Sequence, residues 1–128
     1  MTHLAFDFGT RHIGIAVAEC RWGIATGIAT IGAKRGIPDW DALEAIMTKW
    51  QPEGLIVGLP LNMDDSESKM SNAARLFGQR LRKRYKTKVD FIDERLSTFE
   101  ARQRGSKRGN DHVLAAQIIA ETWLNSDN

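Results

Sequence analysis

One cysteine, three prolines and one tyrosine are all that 128 residues hold of those types, and each scarcity excludes something. A single thiol, Cys20, forms no internal disulfide and leaves no thiolate cluster for structural zinc, so it is expected to be a small buried apolar residue. No apolar run approaches the roughly 18 to 20 residues that span a bilayer; the longest, at 13–18 and 114–120, are far shorter. Met1 leads into a strand-like segment with no basic-then-apolar leader, so a cytoplasmic protein without a membrane partner is expected. Compositional bias is missing too: 42% hydrophobic and 27% charged residues exclude a disordered or fibrous chain. The length points to a single domain over 1–128. No heptad or long hydrophobic edge specifies an oligomer, which leaves monomer or homodimer open. Few aromatic residues are placed to stack on bases, so strong sequence specificity toward a nucleic acid is not expected.

Charge is present but unevenly spread. The net charge is +2, yet 69–108 holds 13 of the 18 Lys and Arg against 4 of the 16 Asp and Glu, a local balance of +9. The remainder stands at −7. This asymmetry suggests a basic surface facing a polyanion through charge neutralisation and counterion release, with nucleic acid the obvious partner. A solvated helix face and strand edge made of Arg80, Arg82, Lys83, Arg84, Lys86 and Lys88 is the plainer alternative.

Periodicity supplies the elements. Alternation at 3–8 (HLAFDF) predicts a strand closed by a turn at Gly9-Thr10, followed by strands at 13–18 (IGIAVA) and 23–31, the three forming an antiparallel meander. Pro38-Asp39 opens a helix whose Trp40, Leu43, Ile46, Met47 and Trp50 share one face, and Pro52 stops it. The continuous apolar run 54–60 (GLIVGLP) reads as a strand buried on both faces. A polar loop at 61–68 precedes a helix, capped by Ser66 or Ser68, with the stripe Met70, Ala73, Ala74, Phe77 and Leu81. A last strand at 88–92, a short helical segment from Ser97, a surface loop at 104–110 and a final helix marked by Leu114, Ile118, Ile119 and Trp123 complete the chain. The expected class is α/β, with a five-stranded mixed sheet, its first three strands antiparallel, flanked by helices.

Asp7 sits inside an otherwise apolar strand, where desolvating a carboxylate costs several kcal/mol unless it is paired or holds a cation. Asp93-Glu94 ends the last strand, and Asp111 stands beside His112 at the start of the final helix. If the first and fifth strands are both central, these acids converge at one sheet edge, a donor set suited to hard divalent ions that activate water and stabilise a leaving phosphodiester oxygen. Spacing alone equally allows Asp7 to cap a turn, and Glu94 to pair with Arg95 or Arg11.

The segments 6–16 (FDFGTRHIGIA), 57–60 (VGLP), 62–64 (NMD) and 93–98 (DERLST), taken in order, resemble the YqgF (RuvX) family, which is similar to RuvC-type Holliday-junction resolvases and has the RNase H-like fold. The opening motif also occurs in sugar-kinase and actin-like ATPases, but those clamp a nucleotide between two such lobes and this chain has room for one. The resemblance implies a nuclease of pre-16S rRNA 5′-end maturation with Mg2+ or Mn2+ as cofactor. It implies that Asp7 is the first-strand acid and Glu94 the acid of the D-E-R motif. The family's third acid falls on His112, with Asp111 one residue early, about 100° away around a helix. Imidazole suits Mn2+ or Zn2+ better than Mg2+, and also serves as a general acid or base. His3 and His12 are given no role. Asp65 stands where the family has glycine, making that loop more acidic and less able to adopt positive φ.

Arg11, just after the first turn, and Arg95 are the expected phosphate contacts, unless they are structural partners of the two acids. Arg104, Lys107 and Arg108, with Arg75, Arg80 and Arg82, are expected to hold the sugar-phosphate backbone without reading sequence. Two other readings stay in play: cleavage of branched DNA, and a non-catalytic RNA-binding assembly factor whose site has degenerated at His112.

Overall fold

The period-two pattern of the first segment places Leu4 and Phe6 in one core and Ala5 in a second. The computed structural model describes residues 1–60, 69–93 and 111–126. Its elements are β1 (Thr2–Asp7), β2 (His12–Glu19), β3 (Ile24–Lys34), β4 (Ile37–Pro38), α1 (Trp40–Trp50), β5 (Gly54–Leu59), α2 (Lys69–Tyr85), β6 (Lys88–Asp93) and α3 (Asp111–Leu124). The strands form one sheet in the order β4-β3-β2-β1-β5-β6. β1 to β3 are the antiparallel meander, and β1, β5 and β6 run parallel, so their carboxyl ends share one edge.

Two sequence expectations change here. The sheet has six strands, not five, because Ile37 and Pro38 fold back on Ala33 and Lys34. The turn between them is a two-residue hairpin with Arg35 at φ 52° and Gly36 at φ 82°, the hand that matches strand twist. A two-residue strand presents no alternation, and this turn lacks the usual Asn-Gly signature. The last strand, β6, is an edge strand and not a central one; convergence of its end with Asp7 comes from parallel direction across β5. The loop at 61–68, the caps Ser66 and Ser68, Asp65, and the segments at 97–100 and 104–110 lie outside the described residues.

The two faces of the sheet are packed differently. Leu4, Phe6, Ile13, Ile15, Leu55 and Val57 meet Leu43 of α1 and Ala74, Phe77 and Leu81 of α2 in the larger core. Asp39 caps α1 by accepting from the N–H groups of Asp41 and Ala42, and Gln51 closes it in a left-handed conformation. Trp40 and Trp50 are half-buried at the rim of that core. In α2 the expected stripe shifts: Ser71 and Gly78 are buried while Met70 is exposed. Gly78 is there because a Cβ would sit 2.5 Å from the Phe91 ring of β6. On the other face Ala5, Ala16, Ala18 and Ile56 admit α3 through Ala116, Ile119 and Ala120. Small residues allow this helix a close approach.

Cys20 is half-buried, with its Sγ 3.7 Å from His3 Nδ1, and the His3 ring lies 4.4 Å from Trp123. Burial raises the Cys20 thiol pKa, the reverse of what a reactive thiolate needs. Burial also lowers the His3 imidazole below its ordinary 6.5. The unfolded chain therefore binds more protons than the native one just below pH 6.5, so stability rises with pH through that window and is lost as pH falls. Urea unfolding at about pH 7.5 and pH 5.5 is expected to show a lower midpoint at the acid value, with a smaller drop in His3→Gln.

Candidate functional site

Asp7 is the last residue of β1, 7% exposed, on the face that α3 covers. Its cross-strand partner is Gly14. A Cβ at Gly14 would lie 1.9 Å from the carbonyl oxygen of His112, so only glycine lets the first turn of α3 settle onto β2. Gly27 does the same one strand over, where a Cβ would meet Val113 at 2.4 Å, and its N–H donates to Gln117 Oε1 at 3.0 Å. A register shift at Ile15/Ala16 against β3 accompanies this contact. The two glycines seat the helix, and the helix delivers His112.

His112 Nδ1 stands 2.9 Å from Asp7 Oδ2. An ionised carboxylate only accepts, so His112 Nδ1–H is the donor of this hydrogen bond and Asp7 Oδ2 the acceptor. The side chain of His112 is 40% exposed against 9% for Asp7, so the pair is buried at its acid end and open at its imidazole end. An open cleft of about 430 Å³ lies over it, walled by the loop Phe8 to His12 together with Pro60, Met70 and His112. This is the carboxyl edge of the parallel strands, where open α/β sheets present their sites.

Of the residues singled out by sequence, the fold brings Asp7, His112 and Arg11 to one cleft. Arg11 is exposed, and Asp7's carboxylate bonds to His112; no Arg11–Asp7 ion pair occurs among the described residues. Asp111 opens α3, and Asp93 ends β6 at the same sheet edge; Glu94, Arg95, Arg104, Lys107 and Arg108 lie outside the described residues, as does the side chain of Asp111. Among the described residues no group of three or more His, Cys, Asp and Glu is gathered for an ion; of the predicted site residues, the structure joins Asp7 and His112. Arg75 of α2 lies 5.6 Å over the Phe91 ring. Arg80 and Arg82 are ten and twelve residues beyond the cleft residue Met70, about 15 to 18 Å along the helix, so they are remote from Asp7.

Sequence reasoning passed over two kinds of residue. His12 lines the cleft, its ring centroid 5.9 Å from that of His112. Lys34 and Arg35 sit on the hairpin fastened to the cleft loop by bonds from Ala33 N–H to Arg11 O and from Gly36 N–H to Thr10 O. A missed signal was the strand count: a hairpin after residue 31 would have returned basic residues to this edge. Trp22, at the far end of the sheet in the β2–β3 turn, is 69% exposed, an outlying aromatic that composition did not place.

The sequence model of the RuvX family, described as Holliday junction resolvase, matches residues 1–126. Among curated proteins, the chain is 48% identical over 132 residues to one from Chromohalobacter salexigens, covering 97% of this chain and 89% of that one. It is 46% identical over 128 residues to one from Marinobacter nauticus, covering 94% and 90%. Both bear the name "Putative pre-16S rRNA nuclease". Among solved structures, Thermus thermophilus RuvC in complex with a Holliday junction substrate superposes with TM-score 0.60 at 14% identity, over 95% of this chain and 92% of that one. The fowlpox virus Holliday junction resolvase gives 0.61 at 12%, over 97% and 98%. These two likenesses are of fold, and the fold is RNase H-like.

Proposed function

The chain belongs to the RuvX family, and from that premise we propose that it is a metal-dependent nuclease hydrolysing RNA phosphodiester bonds in 5′-end maturation of pre-16S rRNA, acting in the cytoplasm. The observation that carries the reading is Asp7: a carboxylate 7% exposed at the end of a central strand, turned toward an open cleft and joined to His112. The names of relatives at 46% and 48% identity supply the RNA.

The donor chemistry fits a divalent ion, with a bias. The structure commits His112 Nδ1–H to Asp7 Oδ2 at 2.9 Å, which leaves the imidazole lone pair on Nε2 as the nitrogen a divalent ion would take, beside the Asp7 carboxylate oxygens. One oxygen and one imidazole nitrogen favour Mn2+ over Mg2+, because imidazole is the softer donor. Asp7 and His112 would hold the ion, with Glu94 and Asp111 as further ligands. When bound, the ion supplies charge stabilisation at the phosphate and lowers the pKa of attacking water. The chain's own part is to keep both donors at one edge, to bind the adjoining phosphate with the guanidinium of Arg11, and to leave the cleft open for a strand. Basic residues Arg75, Arg80, Arg82, Arg95, Arg104, Lys107 and Arg108 extend the phosphate-binding surface in this reading.

The test is cleavage of a labelled single-stranded RNA carrying a pre-16S 5′ leader in Mn2+, in Mg2+ and in EDTA, beside four-way DNA junctions. Cutting of the RNA with metal and none in EDTA is the expected result. Cutting confined to junctions would make it a resolvase, and binding without cutting of either would make it an assembly factor. The donor bias gives a second expectation: calorimetric affinity for Mn2+ exceeds that for Mg2+, and His112→Asp lowers the ratio about tenfold or more. An unchanged ratio would remove His112 from the ligand set.

A further inference from the structure

Beside the cleft, the β3–β4 hairpin places cations where no residue pattern announced them. Its turn holds Arg35 at φ 52° and Gly36 at φ 82°. Turns of this hand take Asn, Asp or Gly at the first of these positions, because a left-handed backbone strains other side chains. Arg35 occupies it nonetheless, and strain of this kind gathers where a side chain has a ligand to meet.

The hairpin is also held in one place relative to Asp7. Ala33 N–H donates to Arg11 O at 2.8 Å and Gly36 N–H to Thr10 O at 3.0 Å, fastening it to the loop that walls the cleft. Gly36 is buried against the Phe8 ring, where a Cβ would lie 3.0 Å from Cζ. Lys34 and Arg35 are exposed, as is Arg11, and none of the three has an ion-pair partner among the described residues. Two cations of the basic helix are differently engaged: Arg84 bonds Glu44 and covers the Trp40 ring at 4.2 Å, and Arg75 lies over Phe91. An open recess of about 440 Å³, lined by Gly32, Ala33, Lys34, Ile37, Pro38 and the helix cap Asp39, lies on the same hairpin.

We propose that this hairpin is a second anchoring site for the single-stranded RNA whose scissile phosphate lies at Asp7, with Lys34 and Arg35 binding phosphates beyond the one met by Arg11. The inference rests on the nuclease reading above and adds to it where the strand leaves the cleft. A pre-set cationic arm binds phosphates without reading bases, and each phosphate it neutralises releases counterions.

Anisotropy of a labelled single-stranded RNA in EDTA, across a salt series, tests it without cutting. The Lys34→Gln/Arg35→Asn double variant is expected to bind about tenfold more weakly, with the salt slope reduced by about 1.4, about 0.7 for each of the two phosphates no longer neutralised. Arg35→Asn alone is expected to raise the melting temperature, since asparagine suits the turn, while weakening binding; a purely structural role for Arg35 predicts unchanged affinity. Wild-type binding matched by the double variant in affinity and slope would overturn the hairpin assignment and leave the nuclease reading standing. Absence of RNA binding by the wild type would instead overturn the nuclease reading, and the inference with it.

Discussion

Asp7→Asn is expected to reduce metal-dependent RNA cleavage by about three orders of magnitude, while the protein stays folded and its melting temperature does not fall. Asparagine has the shape of aspartate and keeps an oxygen that accepts from His112 Nδ1, so the packing at the end of β1 survives. The buried negative charge does not. A neutral amide is a poor ligand for a hard divalent ion, and removing charge stabilisation at a phosphoryl centre is among the most damaging single changes a site of this kind suffers. Stability moves the other way or not at all, because a carboxylate 7% exposed is costly to desolvate and its removal relieves that cost. The decisive comparison is single-turnover cleavage at saturating Mn2+ against thermal unfolding of the same preparation. Cleavage retained within tenfold of wild type would mean that the cutting happens elsewhere.

Gly14→Ala is expected to injure both stability and activity, though its side chain would touch no substrate. The added carbon would lie 1.9 Å from His112 O, 2.3 Å from His112 C and 2.9 Å from Val113 N, all of them backbone, so no side-chain rotation relieves the clash. Either α3 shifts off β2 or the β1–β2 pair opens. Overpacking of this kind costs about 3 kcal/mol, or roughly 10 °C in melting temperature for a chain of this size. Activity falls further than stability does, because the displaced first turn carries His112 away from Asp7. Ala16→Gly, beneath the same helix two residues on, serves as the comparison: it weakens the packing of α3 without pushing its first turn. Loss of activity in Gly14→Ala at a temperature where it is fully folded, with Ala16→Gly retaining activity, would establish that seating; equal effects would refute it.

How much of this was legible beforehand follows from the range of each interaction. The meander, the helix opened at Pro38-Asp39 and the doubly buried β5 are written in local patterns and all three form, though β3 runs on to Lys34, three residues past the expected end. Asp7 was legible because a carboxylate among apolar alternation needs a reason to be there. β4 was not, since two residues carry no period and an Arg-Gly turn gives no warning. The basic run was plain in composition, but its distance from the cleft is set by α2 running away from Met70, which charge counting does not contain. His12 carries no motif that assigns it a role, and only a hairpin and a helix start bring its ring beside His112. Gly14 is one letter of a strand pattern in the sequence; that a backbone of α3 needs its missing side chain depends on a contact about a hundred residues away.

The bond between Asp7 and His112 joins positions 105 apart in the chain. Contacts this distant form late, after nearer ones have shortened the loop to be closed. A growing polypeptide can therefore assemble the meander and the α1/α2 face while its site is still missing half of the pair. On the proposed reading of Asp7 and His112, a chain emerging from the ribosome has no complete site until α3 has been made and has docked.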